Sequence, residues 1–395
     1  MFKKSVAAIA VLGAMAGTAM AANVTLYGVI DTSLMYTYHD VANPEEAHLG
    51  YDGKTYNEQS NLSMESGVNS GSRFGLKGVE ELGNGMKIGF KLENGFNSDN
   101  GTLGQGSRLF GREASLSLYT DLGTLSFGRM GAVGSSCGTY DLVYSIADAF
   151  DGLDNNVGGL AISDRYDNMI TYQSPKIAGV QATVQYSFKQ DSKADGTEGK
   201  ASADRYAGGA LTGEWGNLNT VLAYEYTDRA NPTDLANKLV RKDSQVVYLG
   251  GNYDCGFAKT FVMAQYFEGL NSVAGFNLVD DGDGLLEGED GIKAKGMKGY
   301  GLHVGTVFPA LGGDVTLGLY YVDGKIEAVK YGSDDAEDYD VQYLGGAARY
   351  EYSLSKRTSV YGGAGVAQAK IKDYDDGGNY KDFIGQAYLG LVHRF

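Results

Sequence analysis

The chain has 395 residues, a formal net charge of −16, and a composition rich in glycine (59) and tyrosine (29) but poor in proline (4) and tryptophan (1). This acidic balance argues against nucleic-acid binding, which requires a basic surface. Two cysteines are too few for a disulfide-rich scaffold. Charged residues occur throughout and no linker divides the chain, so one domain built from a repeated unit is the simplest interpretation.

The first 21 residues have the pattern of an export signal. Two lysines begin it, a short apolar run follows, and Ala19-Met20-Ala21 ends it as a cleavage site. The apolar run is too short to cross a bilayer as a helix. We therefore expect a signal peptide over 1–21 and a mature domain over 22–395.

Most of the mature chain alternates between apolar and polar residues. In the segment 180–189 (VQATVQYSFK), Val180, Val184 and Phe188 fall on one face and the polar residues on the other. This period of two is that of a β-strand. Sixteen such segments are predicted, over 24–38, 72–81, 86–97, 110–120, 123–130, 167–174, 180–189, 205–214, 218–228, 244–253, 257–268, 298–307, 313–323, 340–353, 358–369 and 382–395.

The connections between these segments alternate between short and long. The short ones are tight turns such as LGNG at 82–85. The long, mostly acidic ones are 39–71, 98–109, 131–166, 190–204, 229–243, 269–297, 324–339 and 370–381. A sheet that spans a bilayer must close so that every backbone group is paired. An even number of strands of about ten residues, with turns of alternating length, predicts an all-β, 16-stranded antiparallel transmembrane β-barrel.

Two soluble folds are the alternatives. A sandwich of this length should show a break in composition, and a β-solenoid should show a constant repeat length. The chain shows neither, so the barrel is preferred.

The connection at 131–166 differs from the others. It keeps aromatic and aliphatic residues, which argues against disorder, and places five aspartates beside a single cation, Arg165. Because a barrel of sixteen strands leaves an aqueous channel, this third outer loop has room to fold inward. We expect an ordered loop packed inside the barrel.

Several stretches together resemble one family. They are the mature start VTLYGVIDTSL, the stretches at 72–96, 110–129 and 164–175, and the terminal YLGLVHRF. The chain resembles the general trimeric porins of Gram-negative outer membranes, in the betaproteobacterial branch. The resemblance implies a homotrimer whose third outer loop, here 131–166, bends inward as a constriction loop and narrows the pore. It also implies that basic side chains on the wall face acidic ones on the loop.

The alternation of apolar and polar residues along the strands predicts some of the basic side chains that face the lumen. Phe74 takes the lipid face, so Arg73 and Lys77 face the lumen, because a charge facing lipid costs about 2–4 kcal/mol near mid-membrane. The same reasoning sends Lys91 inward. The resemblance adds pore arginines, of which Arg112 stands in phase with lipid-facing residues and needs a bulge or a rim position; Arg129 has the same difficulty. The predicted wall set is Arg73, Lys77, Lys91, Arg112, Arg129 and Arg165.

Acidic residues of the loop are expected opposite that wall. Charges of opposite sign across a narrow passage would create a transverse field that orients solutes while the pore radius excludes large ones. For each acid the alternative is an ion pair that only holds the loop in place. The predicted loop set is Asp141, Asp148, Asp151, Asp154 and Asp164.

Other candidate sites have less support. The terminal Phe395 resembles a signal read by the outer-membrane assembly machinery. The acidic run around 280–290 is expected to be a solvated outer loop, with a divalent-cation site bridging lipopolysaccharide phosphates as the lesser hypothesis. That site would use Asp281, Asp283 and Glu287. Cys137 and Cys255 are predicted at different levels of the barrel, so no disulfide is expected.

The sequence therefore predicts an outer-membrane general diffusion porin that passes small hydrophilic solutes and ions. The alternatives are a solute-specific porin and a barrel that acts mainly as an adhesin or ligand-binding surface. No partnered nucleophile motif is present, so no enzyme activity, catalytic residue or cofactor is expected. The expected partners are two further copies of the chain, outer-membrane lipid, lipopolysaccharide and the assembly machinery.

Overall fold

The computed structural model describes residues 24–42, 58–152, 157–230, 242–274, 276–277, 292–330, 336–375 and 378–395. The strands are β1 Thr25–Ala42, β2 Glu58–Ser66, β3 Arg73–Gly83, β4 Met86–Gly95, β5 Glu113–Thr120, β6 Gly123–Gly131, β7 Arg165–Gln173, β8 Val180–Ser187, β9 Arg205–Trp215, β10 Leu218–Asp228, β11 Ser244–Asp254, β12 Lys259–Leu270, β13 Ser272–Val273, β14 Phe276–Asn277, β15 Ile292–Ala310, β16 Gly313–Lys330, β17 Ala336–Ser355, β18 Thr358–Asp375 and β19 Gly378–Arg394. The helices are α1 Gly104–Ser107 and α2 Tyr144–Ala147. None of the helices described is long and apolar enough to cross a membrane.

The strands form one closed antiparallel sheet, apart from the small β13–β14 hairpin. Each strand pairs with its neighbour along the chain, and β19 returns to pair with β1 from Val29↔Arg394 upward. The terminal residue continues this seam, because Phe395 and Gly28 exchange backbone hydrogen bonds of 3.0 Å. The first barrel strand pairs with β2 in its upper half and β3 in its lower half, so these two count as one strand. The barrel therefore has sixteen strands, as predicted.

Strand β2 lies inside the predicted connection 39–71, so that part of the prediction was wrong. Its sequence is mostly polar, which gives little alternation to read. The break between β2 and β3 is held by Asp31, whose carboxylate accepts hydrogen bonds from the backbone N–H groups of Asn69 (2.9 Å) and Ser70 (2.6 Å). A buried carboxylate thus replaces the ladder bonds lost where the strand is interrupted.

The last five strands are longer than predicted, with 17 to 20 residues each. They occupy much of the predicted connections 269–297, 324–339 and 370–381. Above the apolar band neither face of a strand meets lipid, so side-chain alternation fades while backbone pairing continues. The amphipathic pattern therefore marks where strands cross the apolar band and misses their upper ends.

The two faces of the barrel differ in side-chain chemistry. The outer face exposes large apolar residues such as Leu249 (60 %) and Leu389 (67 %). The enclosed face carries a buried apolar cluster in which residues of the 132–164 segment, among them Val143, Tyr144 and Phe150, pack against side chains of β9 to β18. The packed core thus lies inside the barrel and on one side of it.

Candidate functional site

The 132–164 segment is hydrogen-bonded across several strands of the enclosed face. Within α2, the carbonyl oxygen of Ile146 accepts a hydrogen bond from Asn252 Nδ2 on β11 at 2.6 Å. Farther along, the Ala149 N–H donates to His303 Nε2 on β15 at 3.2 Å. Tyr343 Oη on β17 donates to the Val157 carbonyl at 2.7 Å. The contacts of the segment therefore run along the wall from β11 to β17.

Inward-facing glycines make room for this packing. A Cβ at Gly250 would lie 2.5 Å from Ala147 Cβ, and one at Gly305 would lie 2.5 Å from Ala149 Cβ. Such separations are well below the contact distance between carbon atoms. At these two glycines the wall has no side chain, because the segment fills the space that a side chain would take.

The two ends of the segment meet at Glu225 on β10, which is 4 % exposed. Its Oε1 accepts from the Gly134 N–H at 2.9 Å and from Tyr206 Oη at 2.7 Å. Its Oε2 accepts from Ser163 Oγ and from Tyr248 Oη, the latter at 2.9 Å. One buried carboxylate thus joins both ends of the segment to side chains of β9 and β11.

The opposite side of the enclosed face, on β3 to β5, is charged. Arg112 Nε lies 2.7 Å from Glu93 Oε1, whose partner oxygen accepts from Tyr27 Oη at 2.7 Å. Lys91 Nζ lies 2.8 Å from Glu113 Oε2. Polar side chains of this side line a cavity of about 890 Å³ together with Thr139 of the segment.

Several cations on the enclosed face have no carboxylate within 4.0 Å among the described residues. Three of them are Arg73, Lys77 and Arg349. Lys77 Nζ stands 5.1 Å from the centre of the Tyr27 ring. The Arg349 guanidinium, on β17, stands 5.0 Å from the centre of the Phe150 ring, at the tip of the segment. Among the described residues, no contacting carboxylate neutralises these three positive charges.

The other predicted arginines occupy different surroundings. Arg112 precedes β5 and so escapes the phase of that strand. Arg165 opens β7, and its guanidinium lies 3.7 Å from Asp164. Arg129 follows a register shift between Gly128 and Met130, and its guanidinium bonds Asp167 at 2.6 Å rather than an acid of the segment.

The predicted acids also separate into distinct groups. Asp148 is buried and accepts from Tyr320 Oη at 3.0 Å, with His303 Nε2 at 3.4 Å. The side chain of Asp164 is 77 % exposed. Asp154 lies outside the described residues, as do the 1–21 signal peptide and the residues Asp281, Asp283 and Glu287.

Asp141 and Asp151 form a pair within the segment. Burial raises the pKa of Asp141, and the neighbouring Asp151 carboxylate raises it further. Burial likewise raises the pKa of Asp151, while Arg73 and Arg349 oppose that rise. Since two carboxyl groups in hydrogen-bond contact share a proton, the pair carries less than its full negative charge at neutral pH.

Sequence reasoning did not single out Glu225, Glu113 or Arg349. Alternation alone places Arg349 and Glu225 on the enclosed faces of their strands, in phase with Tyr343 and Ala223. The partners of Glu225 come from two neighbouring strands and two points of the segment, which no local pattern reveals.

The remaining predicted residues are placed as follows. Phe395 is partly exposed, and its ring lies against Gly28. Both thiols are free, with Cys137 buried in the segment and Cys255 exposed in a turn. Within the described ranges, no group of three or more His, Cys, Asp or Glu residues could hold a metal ion.

A closed sixteen-strand barrel with an apolar outer face and a charged enclosed face defines an outer-membrane channel protein. The model of the Gram-negative porin family matches residues 7–373, and the chain belongs to that family. An outer membrane porin of Bordetella pertussis is 34% identical over 91% of this chain and 92% of its own length. Outer membrane porin protein 32 of Delftia acidovorans is 31% identical over 94% of this chain and 90% of its own length.

Solved structures show the same fold. The anion-selective porin from Comamonas acidovorans superposes with a TM-score of 0.62 at 23% identity, covering 94% of this chain and 99% of that one. The trimer form of OmpT from Vibrio cholerae superposes with a TM-score of 0.54 at 14% identity, with the same coverages. The chain is accordingly a porin of the Gram-negative outer membrane.

Proposed function

We propose that the chain is a general diffusion porin, a passive channel for small hydrophilic solutes and ions, and that the 132–164 segment is its constriction. The observation that carries this proposal is the asymmetry of the enclosed face. The segment packs through apolar side chains against one side of that face. Arg73 and Lys77 on β3, and Arg349 at the tip of the segment, carry charges that no described carboxylate contacts. A passage between these two regions would be narrow, wet and charged.

The free cations favour anions in this passage. Much of the opposing negative charge is already engaged, because Asp148 is buried and Asp141 and Asp151 share a proton. We therefore propose a moderate preference for anions, although the chain as a whole is acidic. Reversal potential across a salt gradient measures it, and a cation-selective wild-type channel would contradict it.

The assembly is proposed to be a homotrimer, in keeping with the trimer form of the Vibrio neighbour. Planar-bilayer recording tests channel and assembly together. We expect conductance in groups of three equal steps, with current proportional to salt concentration. A current that saturates and is blocked by one solute would favour the solute-specific alternative. A barrel that inserts and stays silent would favour the surface-interaction alternative.

A further inference from the structure

The hydrogen bonds around Glu225 join both ends of the constriction segment to the wall. The incoming limb contributes the Gly134 N–H and the outgoing limb contributes Ser163 Oγ. The limbs are also bonded to each other, since the Ser163 N–H donates to the Gly134 carbonyl at 3.0 Å. A displacement of either limb therefore breaks bonds to the same carboxylate.

Local features of the sequence prepare this arrangement. A Cβ at Gly134 would stand 2.7 Å from Tyr248 Oη, so only glycine lets the backbone approach the carboxylate. On β9, Gly208 lies directly opposite Glu225 in the register, and the Tyr206 ring lies over that glycine to reach the carboxylate. The site is thus built from the wall and from the segment.

The energetics favour a rigid attachment. Hydrogen bonds to a charged acceptor are about twice as strong as neutral ones. Glu225 has four such donors and is almost fully buried. Losing the carboxylate would leave the Gly134 N–H and two tyrosine hydroxyls without this acceptor in a buried place.

We propose that Glu225 is a positioning residue for transport, which fixes the constriction segment against the wall and so sets the bore of the passage. The proposal rests on the proposed function, because it assigns Glu225 a role in the open channel. It differs from a role in barrel stability alone, in which the segment would keep its place without the carboxylate.

The test combines two readouts on the trimer. Bilayer recording gives the ratio of closed to open channels as voltage rises. Alkylation followed by mass spectrometry gives the reactivity of Cys137, which is buried in the segment, with the exposed Cys255 as internal reference. Burial also raises the pKa of the Cys137 thiol, which keeps it unreactive while the segment is in place.

The variants are Glu225→Ala, Glu225→Gln and the pair Tyr206→Phe and Tyr248→Phe. Tyr224→Phe is the matched control. Tyr224 lies next to Glu225 on β10 but on the exposed side of that strand, where its hydroxyl donates to Gln245 Oε1. We expect Glu225→Ala to raise the closed-to-open ratio and Cys137 alkylation by about tenfold or more, since two charge-assisted bonds to the segment are lost. Glu225→Gln should restore most of both, and Tyr224→Phe should match wild type.

Wild-type voltage behaviour and Cys137 reactivity in an assembled Glu225→Ala trimer would overturn the proposal, even if the unfolding temperature fell. If Glu225→Ala does not assemble, Ser163→Ala decides, because it removes one donor from the segment alone. Changes in both readouts then support the proposal and unchanged readouts overturn it. A silent wild-type barrel would instead refute the proposed function, so the two failures are distinguishable.

Discussion

Two regions of the enclosed face follow the same alternation with opposite chemistry. Along β11, β15 and β16 the inward positions include Gly250, Gly305 and Gly318, which lie against the 132–164 segment. Along β3 to β5 they include Lys91 and Glu113, which form an ion pair. A strand pattern therefore says only which side chains point inward. The size and charge of those side chains decide whether the space holds protein or water.

The glycine side should respond most to a change in volume. Replacing Gly305 with alanine places a Cβ 2.5 Å from Ala149 Cβ. Overpacking of this kind costs about 1–3 kcal/mol, and we expect the segment to move toward the charged side. Single-channel conductance should fall, together with the temperature at which the barrel unfolds on a gel. Gly362→Ala is the control, because its Cβ would meet nothing closer than 3.4 Å. Equal conductance in both variants would contradict the packing argument.

The charged side should respond to the loss of a charge rather than to a change in side-chain volume. A unit charge about 8 Å from the ion path, in a water-like dielectric, contributes about 0.5 kcal/mol, or about a twofold change in permeability ratio. Arg73→Gln on this side, and Arg349→Gln on β17 at the tip of the segment, should each shift the reversal potential toward cation selectivity by about that factor. Arg129→Gln should not, because Arg129 already bonds Asp167. An Arg129 effect equal to that of Arg73 would show that the fixed partner does not matter.

The smallest effect is expected from pH. Because the pKa values of Asp141 and Asp151 are raised, the segment gains negative charge as pH rises through the neutral and alkaline range rather than near pH 4. Cation permeability should rise over that range. The same shift makes ionisation unfavourable to the fold, so stability should decline from about pH 4 upward until the raised pKa values are passed.

Reversal potentials from pH 5 to 10 measure the shift in selectivity. In Asp141→Asn we expect the alkaline part of the titration to disappear, because the remaining aspartate no longer faces a second carboxylate. If the reversal potential of the wild-type channel does not change across this pH range, Asp141 and Asp151 do not share a proton.

The sequence predicted the barrel well because its fold is repetitive. Strands such as Leu218–Asp228 begin and end at the predicted residues, since tight turns and the apolar band both leave local patterns. Strand β2 was missed because the residues that stabilise the break after it, chiefly Asp31, act across a long separation in sequence. The upper ends of the last strands were missed because no lipid-facing side chains mark them.

The candidate site was less accessible to prediction. Phase assigned Arg73 and Lys77 to the enclosed face, and the structure places both opposite the exposed Phe74. The alternation of residues along a strand could not predict which cations lack an ion-pair partner. Lys91 and Glu113, for example, form an ion pair only because β4 pairs with β5. Glu225 shows the same limit, because its donors meet only in three dimensions.

The seam between β1 and β19 has a consequence for the order of assembly. With β2 and β3 counted as one strand and the β13–β14 hairpin set aside, the other pairings of the sheet join neighbours along the chain. This one joins residues as distant as Val29 and Arg394. Pairings of such high contact order form slowly. Until this one forms, β1 keeps an unpaired edge that can bind other chains. The sheet therefore has two open edges, on β1 and β19, until these two strands pair, and the enclosed space is complete only after that pairing.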